Sequence, residues 1–242
     1  MTDQPLLELV GIRAGYGIID VLHGVDLRVG AGQVMALLGP NGAGKSTTLG
    51  VASGQIQPTG GRLFISGREV NGVRPDALAR VGVCLVPEGR GIFPNLTVTE
   101  NIRMMTYAGV SYGDVQDRAY GQFPRLRERR RQLAGTLSGG EQQMLAMARA
   151  LASDPALLML DELSMGLAPI IVEELYEQVA DLARNGLSIL IVEQFAQTVL
   201  GVADVAAIML HGRIRRTGPP NEIADELTAA YLGIESPTGG DH

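Results

Sequence analysis

Tryptophan is absent from this chain, and cysteine occurs once among its 242 residues. A single thiol, Cys84 in the apolar run VGVCLVP, can build neither an intrachain disulfide framework nor a zinc cluster, so a reducing cytoplasm is the natural compartment. The histidines, His23, His211 and His242, are scattered with no metal-ligand spacing. Positive charge is scarce: 20 Lys plus Arg against 26 Asp plus Glu leave a formal charge of −6. That balance argues against nucleic acid as a partner. The one basic cluster, RLRERRRQL from Arg125 to Leu133, lacks interleaved aromatics and reads as a solvated helix face. No apolar run approaches the roughly 20 residues of a membrane span. The opening MTDQPLLELVG lacks a basic segment followed by an apolar one, so no signal peptide is expected and membrane work goes through a partner.

What the chain does have is apolar filling and glycine. Hydrophobic residues make up 45%, with 32 glycines, enough for one large domain with a filled core. The nine methionines read as core filler. From Leu6 to Val29 the pattern is of short strands and turns. VMALLG (Val34 to Gly39), GGRLFISG and VGVCLVPEG read as strands. Thr97 and Glu100 form a capping box that predicts a helix over 101–107, and a charged helical pattern runs from Gly113 to Ala134. From Ala156 strand–helix alternation returns: ALLMLDE, a helix after Pro169, LSILIVEQ, a short helix, and VAAIML. His211–Gly212 reads as a hairpin turn, Asn221 as the cap of a last helix ending at Gly233, and ESPTGGDH as a disordered tail. Strands alternating with helices imply a mainly parallel sheet covered on both faces, carrying a helical lobe over roughly Gly89 to Ala152.

Two stretches carry chemistry. GPNGAGKS fits G-x-x-x-x-G-K-[ST] at Gly39, Gly44, Lys45 and Ser46. Its glycines let successive N–H groups converge on phosphate oxygens, the next helix points its positive end at them, Lys45 reaches the β- and γ-phosphates, and Ser46 helps hold Mg2+. The run LLMLDE surfaces at Asp161, which can hold the metal, and Glu162, which can activate water. Downstream, TLSGGEQQ holds a second helix start built to grip an anion. Ser138 and Glu141 make another capping box around Gly139 and Gly140, and Met144, Leu145, Ala148 and Leu151 fall on one helix face. A single nucleotide does not easily use both grips. The economical reading is two chains head to tail, each closing the other's ATP site.

LSGGEQQ, following the first motif and joined by LLMLDE in this order, resembles the ATP-binding-cassette (ABC) superfamily over nearly the whole chain, Leu6 to Gly233. The resemblance implies an α/β P-loop NTPase with a mainly parallel core sheet, an N-terminal antiparallel β part and an inserted helical subdomain. The single ABC domain over 1–242 then divides into a nucleotide-binding core (1–88 and 153–233), a helical subdomain (about 89–152) and a tail (234–242). It implies ATP and Mg2+ as ligands: Gly39, Pro40, Asn41, Gly42, Ala43, Gly44, Lys45, Ser46 and Thr47 around the phosphates, and Tyr16 on adenine. Ser138, Gly139, Gly140 and Glu141 serve a partner's nucleotide. Ser46, Glu88 and Asp161 stand at the metal, and Glu162, Gln194 and Lys45 act in catalysis.

Three positions depart from the commonest ABC pattern. Glu88 replaces the usual Gln, Ala168 the usual Asp, and Gln194 the usual switch His; a Gln donates a hydrogen bond but carries no charge. VPEGRGIFPNLTVTEN, SMGLAP, VEQ and YLG resemble ATPase subunits of branched-chain amino-acid importers, in particular the subunit with Gln at the switch; Phe195 is less typical. That implies a second ATPase subunit, two membrane permeases, a periplasmic binding protein and a peripheral place on the cytoplasmic face of the inner membrane. Urea-importer ATPases share much of the pattern. A soluble non-transport ABC ATPase and a small-molecule kinase are further readings, and the kinase would have no use for LSGGE.

Overall fold

The computed structural model describes residues 4–232 except Phe195. Phe195, Gly233 and the 234–242 tail, with His242, therefore lie outside the described residues. The chain opens with β1 (Leu7–Tyr16) and β2 (Ile19–Val29), then β3 (Val34–Leu38), α1 (Lys45–Ala52), β4 (Gly60–Ile65), β5 (Arg68–Glu69), α2 (Pro75–Arg80) and β6 (Val83–Val86). A helical stretch follows: α3 (Val98–Arg103), a 3-10 turn (Met104–Ala108), α4 (Tyr112–Gln122), α5 (Pro124–Glu128), a second 3-10 turn (Ala134–Thr136) and α6 (Gly139–Ala152). Alternation resumes with β7 (Leu157–Asp161), α7 (Pro169–Arg184), β8 (Ser188–Glu193), α8 (Ala196–Leu200), β9 (Val205–Leu210), β10 (Arg213–Gly218) and α9 (Pro220–Leu232).

Among the described residues the strands form two sheets. One is antiparallel, ordered β2-β1-β4-β5; the other is ordered β10-β9-β3-β8-β7-β6 and is parallel except for the β9–β10 hairpin. The parallel strands are apolar on both faces, and the two-residue period divides their side chains cleanly. Val34, Ala36, Leu38, Leu158, Leu160, Ile189 and Ile191 face a core shared with the helical stretch. Met35, Leu37, Leu157, Met159, Leu190 and Val192 face a core shared with α1 and the antiparallel sheet. Truncating Leu158 or Leu190 to Ala would open a cavity on opposite faces and cost about 2–5 kcal/mol each.

Local chemistry explains where the helices differ from their sequence patterns. The Thr97–Glu100 box sets the start of α3 at Val98, three residues before the expected start, and the last turn tightens from Met104. The charged run breaks at Pro124, whose ring cannot continue α4, and ends at Glu128. Asn221 does not cap α9. Pro220 occupies the first helical position and the Pro219 carbonyl accepts from the Glu222 and Ile223 amides, leaving Asn221 inside the first turn. Burial on α6 extends beyond one face, to Gln143, Ala146, Met147 and Ala150. The methionines are not all filler, since Met104 and Met165 are exposed. Cys84 is only half-buried as a residue, and desolvation raises its thiol above the ordinary range.

Candidate nucleotide-binding site

β3 delivers the chain into the Gly39–Thr47 loop at the end of the parallel sheet. A Cβ at Gly39 would stand 2.2 Å from the Met209 carbonyl oxygen, so only glycine lets this loop lie on β9. Gly44 takes φ 106, a left-handed conformation, and precedes α1 with no side chain capping the helix. The first amides of α1 are therefore left for an anion. The Gly212 amide donates to Ala43 O and the Ala43 amide to Pro40 O, which fixes the loop from below.

Lys45 is buried, and its Nζ donates to Gly39 O at 2.9 Å and Pro40 O at 3.3 Å. It also stands 3.5 Å from Glu162 Oε1. Ser46 Oγ donates to Asp161 Oδ1 at 3.2 Å. Burial pushes the Asp161 carboxyl up to about 6; the Ser46 bond and Lys45 oppose this, while the negative charges of Glu162 and Glu88 add to it. Glu162 sits one residue beyond β7 at φ 48, strained for a residue with a side chain, and its amide is pinned to Val192 O at 2.9 Å.

These groups surround a cavity of about 430 Å³. Asn41, Gly42, Gly44, Lys45, Ser46 and Thr47 line one wall; Tyr16 and Val21 from the hairpin, Glu88, Glu162 and Met165 line the others. Tyr16 is more than half exposed, with its hydroxyl 3.5 Å from Thr47 Oγ1. Gly39, Pro40 and Ala43 belong to the loop without lining the cavity, and Asp161 reaches it through Ser46. Gln194, half-buried just after β8, is not part of the lining. Among the described residues no cluster of three His, Cys, Asp or Glu could hold a metal alone. The Ser46–Asp161 pair, with Glu88 close enough to shift Asp161, still suits a hard dication that takes its remaining oxygens from phosphate and water.

The second grip does not line this cavity. Ser138 caps α6, its Oγ accepting from the Glu141 amide at 3.3 Å and donating to Glu141 Oε2 at 2.9 Å, while the Ser138 amide donates to the same carboxylate at 2.9 Å. Arg129 forms an ion pair with Glu141. Glu141 is thus committed to the cap and to Arg129. Gly139 and Gly140 have a packing reason beside any ligand. A Cβ at Gly139 would meet Leu167 at 3.0 Å and Arg90 at 3.2 Å, and one at Gly140 would stand 2.4 Å from Ile171 Cγ2. Arg90 also donates to Gln142 on α6.

Sequence reasoning did not find Met165, Arg90 or Arg129 as parts of these sites. The arginine run is not simply solvated: Arg125 pairs with Glu174 at 3.0 Å, Arg127 lies over Tyr120, and Arg129 supports the second grip. Its one readable signal was charge complementarity with a downstream glutamate.

A Gly-rich loop feeding a helix start from a parallel strand, with an Asp–Glu pair ending a nearby strand, defines a P-loop ATP-binding unit. The family model described as "ABC transporter" matches residues 22–164. The chain is 43% identical to the high-affinity branched-chain amino acid transport ATP-binding protein BraG of Pseudomonas aeruginosa, over 94% of this chain and 100% of that protein. It is 37% identical to the probable branched-chain amino acid transport ATP-binding protein LivF of Archaeoglobus fulgidus, over 91% and 94%. A solved ATP-binding subunit of an ABC transporter superposes with a TM-score of 0.83 at 27% identity, over 96% of this chain and 100% of that one. This chain belongs to the ABC transporter family, as an ATP-binding cassette.

Proposed function

We propose that this chain is the ATP-hydrolysing subunit of an importer for branched-chain amino acids. The observation that carries ATP hydrolysis is the cavity in which the uncapped start of α1, Lys45 and Glu162 converge. The phosphates lie along the Gly39–Thr47 loop, Lys45 exchanges its contacts with Gly39 O and Pro40 O for phosphate oxygens, and Tyr16 stacks on adenine. Glu162 orients a water and takes its proton as the water oxygen bonds to the γ-phosphorus; the bridging P–O bond breaks and ADP leaves with that electron pair. Gln194 donates a hydrogen bond to the γ-phosphate. Ser46, Asp161 and Glu88 would hold Mg2+, which supplies charge neutralisation at the phosphates when bound.

Ser138, Gly139 and Gly140 close the γ-phosphate of a second cassette, with Glu141 holding the cap behind them. The partners are that second cassette, of a different chain, and two permease subunits, with a periplasmic binding protein acting through the permeases. None of the helices described is long and apolar enough to cross a membrane, and the chain works as a peripheral subunit on the cytoplasmic face. The similarity to two branched-chain amino acid transport ATP-binding proteins supports the substrate class.

Two measurements test this. Glu162→Gln should bind ATP as wild type does and turn it over at least about a hundredfold more slowly; retained turnover means another group activates the water. Deleting the gene should abolish uptake of labelled leucine and leave urea uptake intact; the reverse outcome would move the substrate to urea.

A further inference from the structure

Glu193 is a buried carboxylate that the chemistry above does not use. It ends β8, is 1% exposed, and directly precedes Gln194. A buried carboxylate persists only when its oxygens are hydrogen-bonded. Here Oε1 accepts from the Ser164 amide at 2.9 Å and the Tyr176 hydroxyl at 2.7 Å, and Oε2 accepts from the Ser164 hydroxyl at 2.9 Å. Tyr176 is itself buried on α7. Burial raises the Glu193 carboxyl above its ordinary value, the three donors opposing this and Glu162 adding to it. Two of the three donors belong to Ser164, two positions after Glu162. An apolar side chain at 193 would leave the Ser164 and Tyr176 donors without this acceptor and release the loop they hold.

That loop, residues 163–168, is folded on itself by the Met165 amide to Glu162 O and the Leu167 amide to Ser164 O, each at 3.2 Å. Met165 lines the cavity of the first grip. Leu167 is the nearest atom a Cβ at Gly139 would meet, and Ile171, in the first turn of α7, is the nearest for Gly140. One short loop therefore touches both grips of the same chain, and it leaves from Glu162, whose positive φ persists only if its surroundings enforce it.

We propose that Glu193 is a positioning residue for ATP hydrolysis. It clamps Ser164 so that loop 163–168 keeps Glu162 aimed into the first grip and Leu167 seated against the second. The proposal rests on the reading of Glu162 as the residue that activates water.

The test uses the full chain, paired with the cassette it needs, under conditions where wild type turns over ATP. It reads kcat, KM and the affinity for a fluorescent ATP analogue. Glu193→Ala should lower kcat about 10–100-fold, as a displaced reacting group does, and Ser164→Ala, which loses the hydroxyl bond but keeps the amide bond to Glu193, about 3–10-fold, each with analogue affinity within about twofold. Glu193→Gln keeps an oxygen for the Ser164 amide and should recover kcat to within about threefold of wild type. The double Ala variant should be no slower than Glu193→Ala alone, because Ser164→Ala removes only the hydroxyl bond of the clamp that Glu193→Ala removes whole. Wild-type kcat in either Ala variant, an equal loss in the Gln variant, or additive losses would overturn the proposal. Ser164→Ala barely changes core volume, so it gives the answer if Glu193→Ala fails to fold. Glu162→Gln is measured alongside. If it stays active, the reading of Glu162 fails and the clamp proposal with it; if it is inactive while both Ala variants run at full rate, only the clamp fails.

Discussion

The two grips of this chain use the same device, the amino end of a helix, and finish it in opposite ways. α1 follows Gly44, which offers no capping side chain, so its first amides take no bond from a cap. α6 starts at Ser138, whose hydroxyl and amide are already bonded to Glu141, itself held by Arg129. The first grip is poised for phosphate in a single chain. The second has its Ser138 hydroxyl and its Ser138 and Glu141 amides bonded internally, so under the proposed function Ser138 exchanges its bond to Glu141 for the phosphate that another molecule presents.

The sharpest way to break this comparison is Ser138→Arg. It should lower turnover by about a hundredfold or more while the single chain binds the ATP analogue as before, since the first grip is untouched. Analogue binding lost in parallel would mean that both grips serve one nucleotide. Lys45→Ala should do the opposite, weakening analogue binding about 10–100-fold through loss of charge-assisted bonds. Arg129→Ala acts on the second grip through the ion pair with Glu141 and a hydrogen bond to Gln132. Removing a half-exposed ion pair should lower Tm by about 2–4 °C and turnover severalfold at most. A loss as deep as that of Ser138→Arg would show that Arg129 touches the ligand itself.

The smallest effect concerns pH at the first grip. Because the Asp161 carboxyl is raised from 3.8 to about 6 in the folded chain, the folded state holds its proton longer than the unfolded state. Stability of the nucleotide-free chain should therefore fall as pH rises from about 4 through about 6. Asp161→Asn should have the higher Tm at pH 8, with the gap closing as pH drops through that window. Added Mg2+ and ATP should reverse the order, because only the wild-type carboxylate gains a cation. Glu88→Gln should shift the wild-type window to lower pH, since Glu88 contributes to the rise.

The first grip was legible in the sequence because its physics is local: the glycines, Lys45 and Ser46 act within a few residues of one another. Both capping boxes, Thr97–Glu100 and Ser138–Glu141, were legible for the same reason. So were the parallel strands, whose unbroken apolar runs signal burial on two faces. What escaped was whatever depends on distant segments meeting. Tyr176 and Ser164 reach Glu193 across 17 and 29 residues. The packing of Gly140 on Ile171 needs α6 and α7 side by side, and Met165 joins the cavity only because its loop turns back. The Asn221 error was local: a polar residue that often caps was outranked by the proline before it, which fits the first helical position better.

The central claim is that each ATP is enclosed by the first grip of one cassette and the second grip of another. It is tested most directly by measuring turnover per chain across a dilution series, with particle size determined in the same samples. Turnover per chain should fall in step with the fraction of particles containing two cassettes. An undiminished rate in particles proven to hold one cassette would contradict it.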